Sequence, residues 1–261
     1  MTSGKLNKIL SNKTLGSSEL VTLLNKYFLS IRNHPAQVKE STELAQYKLG
    51  HFEGVNSYLI ELNKCLNNRN DAKLTDFLKE YAKVEDEKIQ IIFNKIYPAL
   101  KKMSSAITLS RSGTVLSLFQ LWHKKNKNLR VIVCESRPKY EGRLLAKDLI
   151  KDGIKVQIIT DAMMGTYVSK VDLAIIGADL VLKNKNIVNK VGSKSLALFC
   201  REFKKPFYVV TTRSKFSNRK NYEPKKENSN EVWNKKAKNL EVSNIYFEEV
   251  ENKFITKIFT D

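Results

Sequence analysis

Residues 104–119 read SSAITLSRSGTVLSLF. The short apolar run AITLS leads into a loop of hydroxyls around one arginine, and TVLSLFQLWHKK then places apolar residues at helical spacing. Strand, polar turn and helix in that order predict the first unit of a parallel sheet with crossover helices. The same alternation recurs downstream. LRVIVCE (129–135), KVQIIT (155–160), VDLAIIGA (171–178) and PFYVVTT (206–212) are candidate strands, with GRLLAKDLIKDG and KSLALFCREFK as helices between them. Runs such as VIV and AII suit strands covered on both faces. Residues 104–261 are therefore expected to form an α/β, Rossmann-like open sheet, mainly parallel and flanked by helices.

Upstream the rhythm is purely helical. Leu20, Leu23, Leu24, Tyr27, Phe28 and Ile31 fall on one helical face, with Ser17 or Ser18 able to cap its start, and His34-Pro35 breaks the pattern. VNSYLIELNKCL repeats it, and a long stretch from Asp71 to Tyr97 carries Leu74, Phe77, Leu78, Tyr81, Val84, Ile91 and Ile92 on helical spacing. A helical N-terminal domain over 1–103 follows. The segment 215–240, KFSNRKNYEPKKENSNEVWNKKAKNL, is polar and lysine-rich with almost no period, and is expected to be a surface excursion or mobile loop.

Composition narrows the function classes. The chain of 261 residues has 46 Lys and Arg against 27 Asp and Glu, a formal net charge of +19. Such an excess suits a phosphate-bearing or nucleic-acid partner, but the lysines are spread along every segment, which favours a solvated surface over a nucleic-acid site. Cys65, Cys134 and Cys200 are odd in number and set in apolar patterns, so buried thiols are expected and disulfides are not. His34, His51 and His123 do not pair at ligand spacing, and no metal or cofactor is called for. No apolar run approaches the roughly 20 residues of a membrane span, and MTSGKLNKIL lacks a signal-peptide core, so a cytoplasmic chain without membrane contact is expected.

In open α/β sheets ligands bind outside the carboxyl ends of the strands. There the chain carries Ser110, Arg111, Ser112 and Gly113, then Glu135-Ser136-Arg137-Pro138, then Asp161, then Gly177-Ala178-Asp179, with Asn189-Lys190 ahead of the helix start Gly192-Ser193. Each has a plain structural use: Ser112 as a helix cap, Asp161 as a cap or surface charge, Arg137 as a solvated turn residue. Together they suit a phosphorylated small molecule, with helix-start amides and cations on the phosphate and Asp179 on a hydroxyl.

CESRPKYEGRLLAKDLIKDGIKVQIITDA (134–162), AIIGADLVLKNKNIVNKVGSKSLALFCREFKKPFYVVTTRSKF (174–216) and NIYFEEVENKFITKIFTD (244–261) resemble the family that joins the alpha, beta and delta regulatory subunits of translation initiation factor two-B to two sugar-phosphate isomerases. Those enzymes act on methylthioribose-1-phosphate and ribose-1,5-bisphosphate. The resemblance implies an isomerase acid/base or hydroxyl-orienting role for Asp179, phosphate contact by Asn189 and Lys190, and a match of Arg137 to the arginine of Glu-Thr-Arg-Pro. It implies assembly through the sheet domain, as a homodimer or with related subunits; relatives usually continue with a further helix at the position of Asp261. Where the isomerases have Thr-His-Cys, this chain has Thr108-Leu109-Ser110, and Ile31-Arg32-Asn33 is the nearest match to their Arg-Gly element. A thiol ionises near pH ~8.5, whereas a serine needs an adjacent base. Ser110 is thus expected to bind rather than attack. The preferred function is a regulatory or non-catalytic, initiation-factor-like protein that binds a phosphorylated sugar or nucleotide. The alternative is an aldose–ketose isomerase on a ribose phosphate.

Overall fold

The computed structural model describes residues 4–12, 15–50, 52–67 and 71–261; Met1–Ser3 and His51 lie outside the described residues. Five helices come first: α1 (Gly4–Leu10), α2 (Ser17–Ser30), α3 (Pro35–Leu49), α4 (Glu53–Asn67) and α5 (Asp71–Leu100). Then follow β1 (Ser105–Leu109), α6 (Gly113–Lys125), β2 (Arg130–Cys134), α7 (Glu141–Lys151), β3 (Lys155–Ile159), α8 (Met164–Val168) and β4 (Leu173–Ile176). The chain continues through β5 (Leu180–Val181), β6 (Ile187–Lys190), α9 (Ser193–Glu202), β7 (Phe207–Val210), β8 (Phe247–Val250) and β9 (Lys257–Phe259).

Six strands form a parallel sheet in the order β3-β2-β1-β4-β7-β9. The expected strands all lie in it. Side chains alternate along them as a pleat requires. Ala106, Val131, Val133, Leu173 and Ile175 face α6, α7 and the C-terminal half of α5, while Ile107, Ile132, Cys134, Ala174 and Ile176 face α8 and α9. A third core of leucines and aromatics joins α1 to α4 with the N-terminal half of α5. Helix α5 thus belongs to both the helical region and the sheet region.

A second, antiparallel sheet, β5-β6-β8, has no counterpart in the sequence pattern. Its strands are short, and β8 comes from far along the chain to pair with β6, a contact without local signal. The polar segment is anchored at its start: the turn Arg213–Lys215 follows β7, and Lys215 is buried. The bridge Val181–Phe216 and the bond from the Ser217 amide to the Val181 carbonyl (2.9 Å) lay it beside β5. No described helix is long and apolar enough to cross a membrane.

Candidate functional site

Strand order reverses between β1 and β4, so the loops leaving these two strands part in opposite directions and open a crevice at the sheet's carboxyl edge. Gly177 makes the crevice floor possible. A Cβ there would lie 2.7 Å from Ser112 Oγ and 3.0 Å from its Cβ, so any larger residue would displace the Ser112 side chain. Ser112 caps α6 through its hydroxyl, which accepts a long bond (3.4 Å) from the Val115 amide. Ser110 holds a left-handed backbone (φ 63°), and its amide donates to Ser136 Oγ at 2.6 Å. Both carboxylate oxygens of Asp161 are engaged nearby, accepting from the amides of Ser136 (2.9 Å) and Arg137 (2.7 Å). The exits of β1, β2 and β3 are therefore one hydrogen-bonded unit.

Above this rim lies a cavity of about 500 Å³, walled on one side by the helical region and on the other by the sheet edge. Two helix starts open into it: Gly16–Ser18 of α2 and Ser112–Thr114 of α6. Their first amides have no helical acceptor and favour an anion. Among the described residues, six basic side chains (Lys48, Arg111, Lys190, Lys215, Arg219, Lys225) and six acidic ones (Glu53, Glu141, Asp179, Glu223, Glu227, Glu231) line the same space. Among the described residues the site thus offers cations and carboxylates in equal number, and the positive excess of the chain is not concentrated in them.

Several of these groups are paired. Lys190, 2% exposed, donates to Glu141 Oε1 at 2.8 Å and lies over the Tyr246 ring, while Glu141 Oε2 is buried with no hydrogen-bond partner among the described residues. Arg111 is ion-paired to Glu19 of α2 and to Asp148 of α7 (2.8 Å), which joins the helical region to the sheet region. Burial pushes Glu19 up, against the opposing pull of Arg111. Asp179 makes no side-chain hydrogen bond among the described residues. Burial raises its pKa, opposed by Lys215 and Lys190, while burial lowers that of Lys215, opposed by Asp179, Glu85 and Glu53. The polar segment closes the cavity from outside, where Glu231 accepts from Lys139 (2.7 Å), from the Tyr246 hydroxyl and from Asn244 (3.2 Å). Burial acts against ionisation of Glu231, but these donors outweigh it and hold the carboxyl low.

Of the residues expected from sequence, Ser110, Arg111, Ser112, Gly113, Asp179, Asn189 and Lys190 line this one cavity. Arg137 does not. It points outward, bonded to the Tyr140 hydroxyl and stacked on that ring at 5.0 Å, because the bonds from its own and Ser136's amides to Asp161 turn the loop away. The Gly192-Ser193 helix start is also closed to ligand, since Glu248 accepts from the amides of Gly192 (2.7 Å) and Lys194 (2.9 Å). Arg32 bonds the Leu29 carbonyl and lies outside the cavity wall. Two cavity residues carry no sequence signal of their own. Lys215 sits in a lysine-rich polar run, and Glu141 is the kind of acid that the first turn of any helix favours.

No cysteine lines the cavity. Cys134 is fully buried, with burial pushing its thiol up, and Cys200 is pushed up to about 12. Among the described residues no cluster of three His, Cys, Asp or Glu is placed to hold a metal. The site's chemistry is that of amides and ammoniums for an anion, with carboxylates for hydroxyls.

Residues 9–261 match the model of the initiation factor 2 subunit family. A putative translation initiation factor eIF-2B subunit 2-like protein of Pyrococcus horikoshii is 44% identical over 110 residues, which is 42% of this chain and 40% of that protein. The ribose 1,5-bisphosphate isomerase of Archaeoglobus fulgidus is 34% identical over 118 residues, 45% of this chain and 38% of the enzyme. The chain spans about half the length, or less, of the curated relatives it matches. The crystal structure of the Pyrococcus horikoshii translation initiation factor eIF-2B superposes with a TM-score of 0.80 at 25% identity, covering 98% of this chain and 93% of that one.

Proposed function

The chain belongs to the initiation factor 2 subunit family, and within it we propose a cytoplasmic, non-catalytic regulatory protein that binds a phosphorylated sugar or nucleotide between its helical and sheet regions. One observation carries this: two helix starts, α2 and α6, open into a single cavity whose floor holds Asp179 and Lys190 and whose wall has Ser110 at the end of β1. The amides of Ser17, Ser18, Gly113 and Thr114 take the phosphate, as helix N-termini do. Lys190 adds a cation, and Asp179 with Glu141 and Asn189 accepts from or donates to ligand hydroxyls. The Ser110 hydroxyl makes no hydrogen bond to a base among the described residues, and a serine needs such a base to attack, which supports the binding reading. Ligand binding would be read out through a homodimer or related subunits, as the sequence resemblance implies, in translation initiation.

An aldose–ketose isomerase on a ribose phosphate is the second reading, favoured by Asp179. A carboxyl raised by burial beside a ligand's hydroxyls is poised for proton transfer between C1 and C2. Thermal-shift titration with ribose 5-phosphate, ribose-1,5-bisphosphate, methylthioribose-1-phosphate and AMP tests the pocket, because a ligand of the folded state raises its stability. Stabilisation by at least one of them is expected, and failure of all four removes the proposal. Turnover of either isomerase substrate, abolished by Asp179→Asn, would replace the regulatory reading with the enzymatic one.

A further inference from the structure

Lys215 has no place in the ligand contacts set out above, yet it is the most deeply set cation of the cavity after Lys190, only 4% exposed. The bridge between Val181 and Phe216 fixes its backbone beside the strand that follows Asp179. Its ammonium donates to Ser17 Oγ at the start of α2. Gly54 of α4 leaves it room: a Cβ there would lie 2.7 Å from Nζ. Ser57 of the same helix donates to the Ser214 carbonyl at 3.1 Å, so the helical region grips the whole turn. Burying an ammonium is costly unless an opposite charge compensates it. The charges acting on it are Asp179 at the exit of β4, Glu53 of α4 and Glu85 of α5, while Asp179 in turn feels Lys190 of β6 and neighbours Tyr222 of the polar segment.

We infer that Lys215 is a positioning residue of this site: it sets a buried positive charge in the cavity that Asp179 lines, without a direct ion pair among the described residues, and it ties the cavity floor to the start of α2, so that the acceptor for ligand hydroxyls and the amides for phosphate are held in one frame. Only the ligand arm of its test rests on the function proposed above. The first arm needs no ligand. In protein labelled with 13C at aspartate carboxyls, the Asp179 resonance is identified by its loss in Asp179→Asn, and its titration is followed in Lys215→Met and in Lys215→Gln, which keeps a hydrogen-bonding head for Ser17. The midpoint is expected to rise by about one pH unit or more in either variant, as loss of an opposite charge from the same buried cavity requires. The second arm measures ribose 5-phosphate affinity by calorimetry from pH 5 to 9, where Lys215→Met is expected to weaken binding about tenfold and to move the acid limb of the profile upward. A midpoint that stays in place in the folded variants overturns the inference, as does a binding profile identical to that of the unaltered chain. If the unaltered chain binds no ribose 5-phosphate, that compound is not the ligand, and the titration alone still decides the role of Lys215.

Discussion

Strand β4 has an aspartate at each end, and the fold treats the two in opposite ways. Asp172, at the start, accepts from the Ser104 amide, the Ser105 amide and the Ser105 hydroxyl at 2.8–2.9 Å, and Ser105 Oγ in turn accepts from the Asp172 amide at 3.1 Å. Burial acts against its charge, but these donors outweigh burial and hold the carboxyl below the ordinary range. Asp179, beyond the other end, has no hydrogen-bond donor on its side chain among the described residues, and burial raises it. The amino edge of the sheet uses its carboxylate to fasten β1 to β4. The carboxyl edge leaves one unspent, at the switch point where a ligand would supply the donors. A carboxylate held without donors costs stability and is kept for binding.

Removing Asp172 should have the largest effect. Asp172→Ala leaves the Ser105 amide without its acceptor and is expected to destabilise the chain by about 2–3 kcal/mol, read as a fall in the urea midpoint at constant slope. Ligand stabilisation measured from that lower baseline should be unchanged. Asp179→Asn should do the reverse, leaving the midpoint level or raised while weakening ribose 5-phosphate about tenfold, or ~1.4 kcal/mol. Equal loss of stability in both variants would erase the contrast. Ser112→Ala should cost about 1 kcal/mol through the α6 cap, with a binding loss of a few fold, because the hydroxyl serves the helix and lines the cavity.

The smallest effect is in pH dependence, and there the two aspartates have opposite signs. The folded pKa of Asp172 lies below the unfolded value of about 3.9, so its stabilisation is present above that pH and is lost as pH falls through the depressed value. Asp179 has a raised folded pKa, so the folded state holds the extra proton, and stability falls as pH climbs from about 3.9 through the raised value. Denaturation series between pH 2 and 7 should therefore flatten on the acid side in Asp172→Asn and on the neutral side in Asp179→Asn. A shared slope change would contradict the assignment.

The five main strands and their helices were legible because burial on both faces writes itself into local runs such as VIV and AII. So was most of the rim, since residues after strands converge in any open parallel sheet. What stayed hidden depends on distance along the chain. Asp161 turns Arg137 outward through two backbone amides, Glu248 plugs the α9 start from the far strand β8, and Arg111 is matched by Glu19 and Asp148 from two other helices. Lys215 is indistinguishable in sequence from its solvated neighbours, and only the fold brings Gly54 and Ser17 over it. Each case is a charge whose partner is remote in sequence, which no periodicity reports.

The late strands also bear on how the chain reaches this state. β8 completes the antiparallel sheet and β9 the edge of the parallel one, with Lys95 of α5 donating to the Thr260 carbonyl at 2.7 Å. Until residues 247–260 are in place, β6 and β7 expose unpaired edges and the α9 start lacks its carboxylate. Such non-local closure is slow and leaves partly folded chains prone to edge-to-edge association. The closing segment thus covers two strand edges at once: a chain cut just before Phe247 should aggregate, as light scattering would read, even though most of the cavity wall is present.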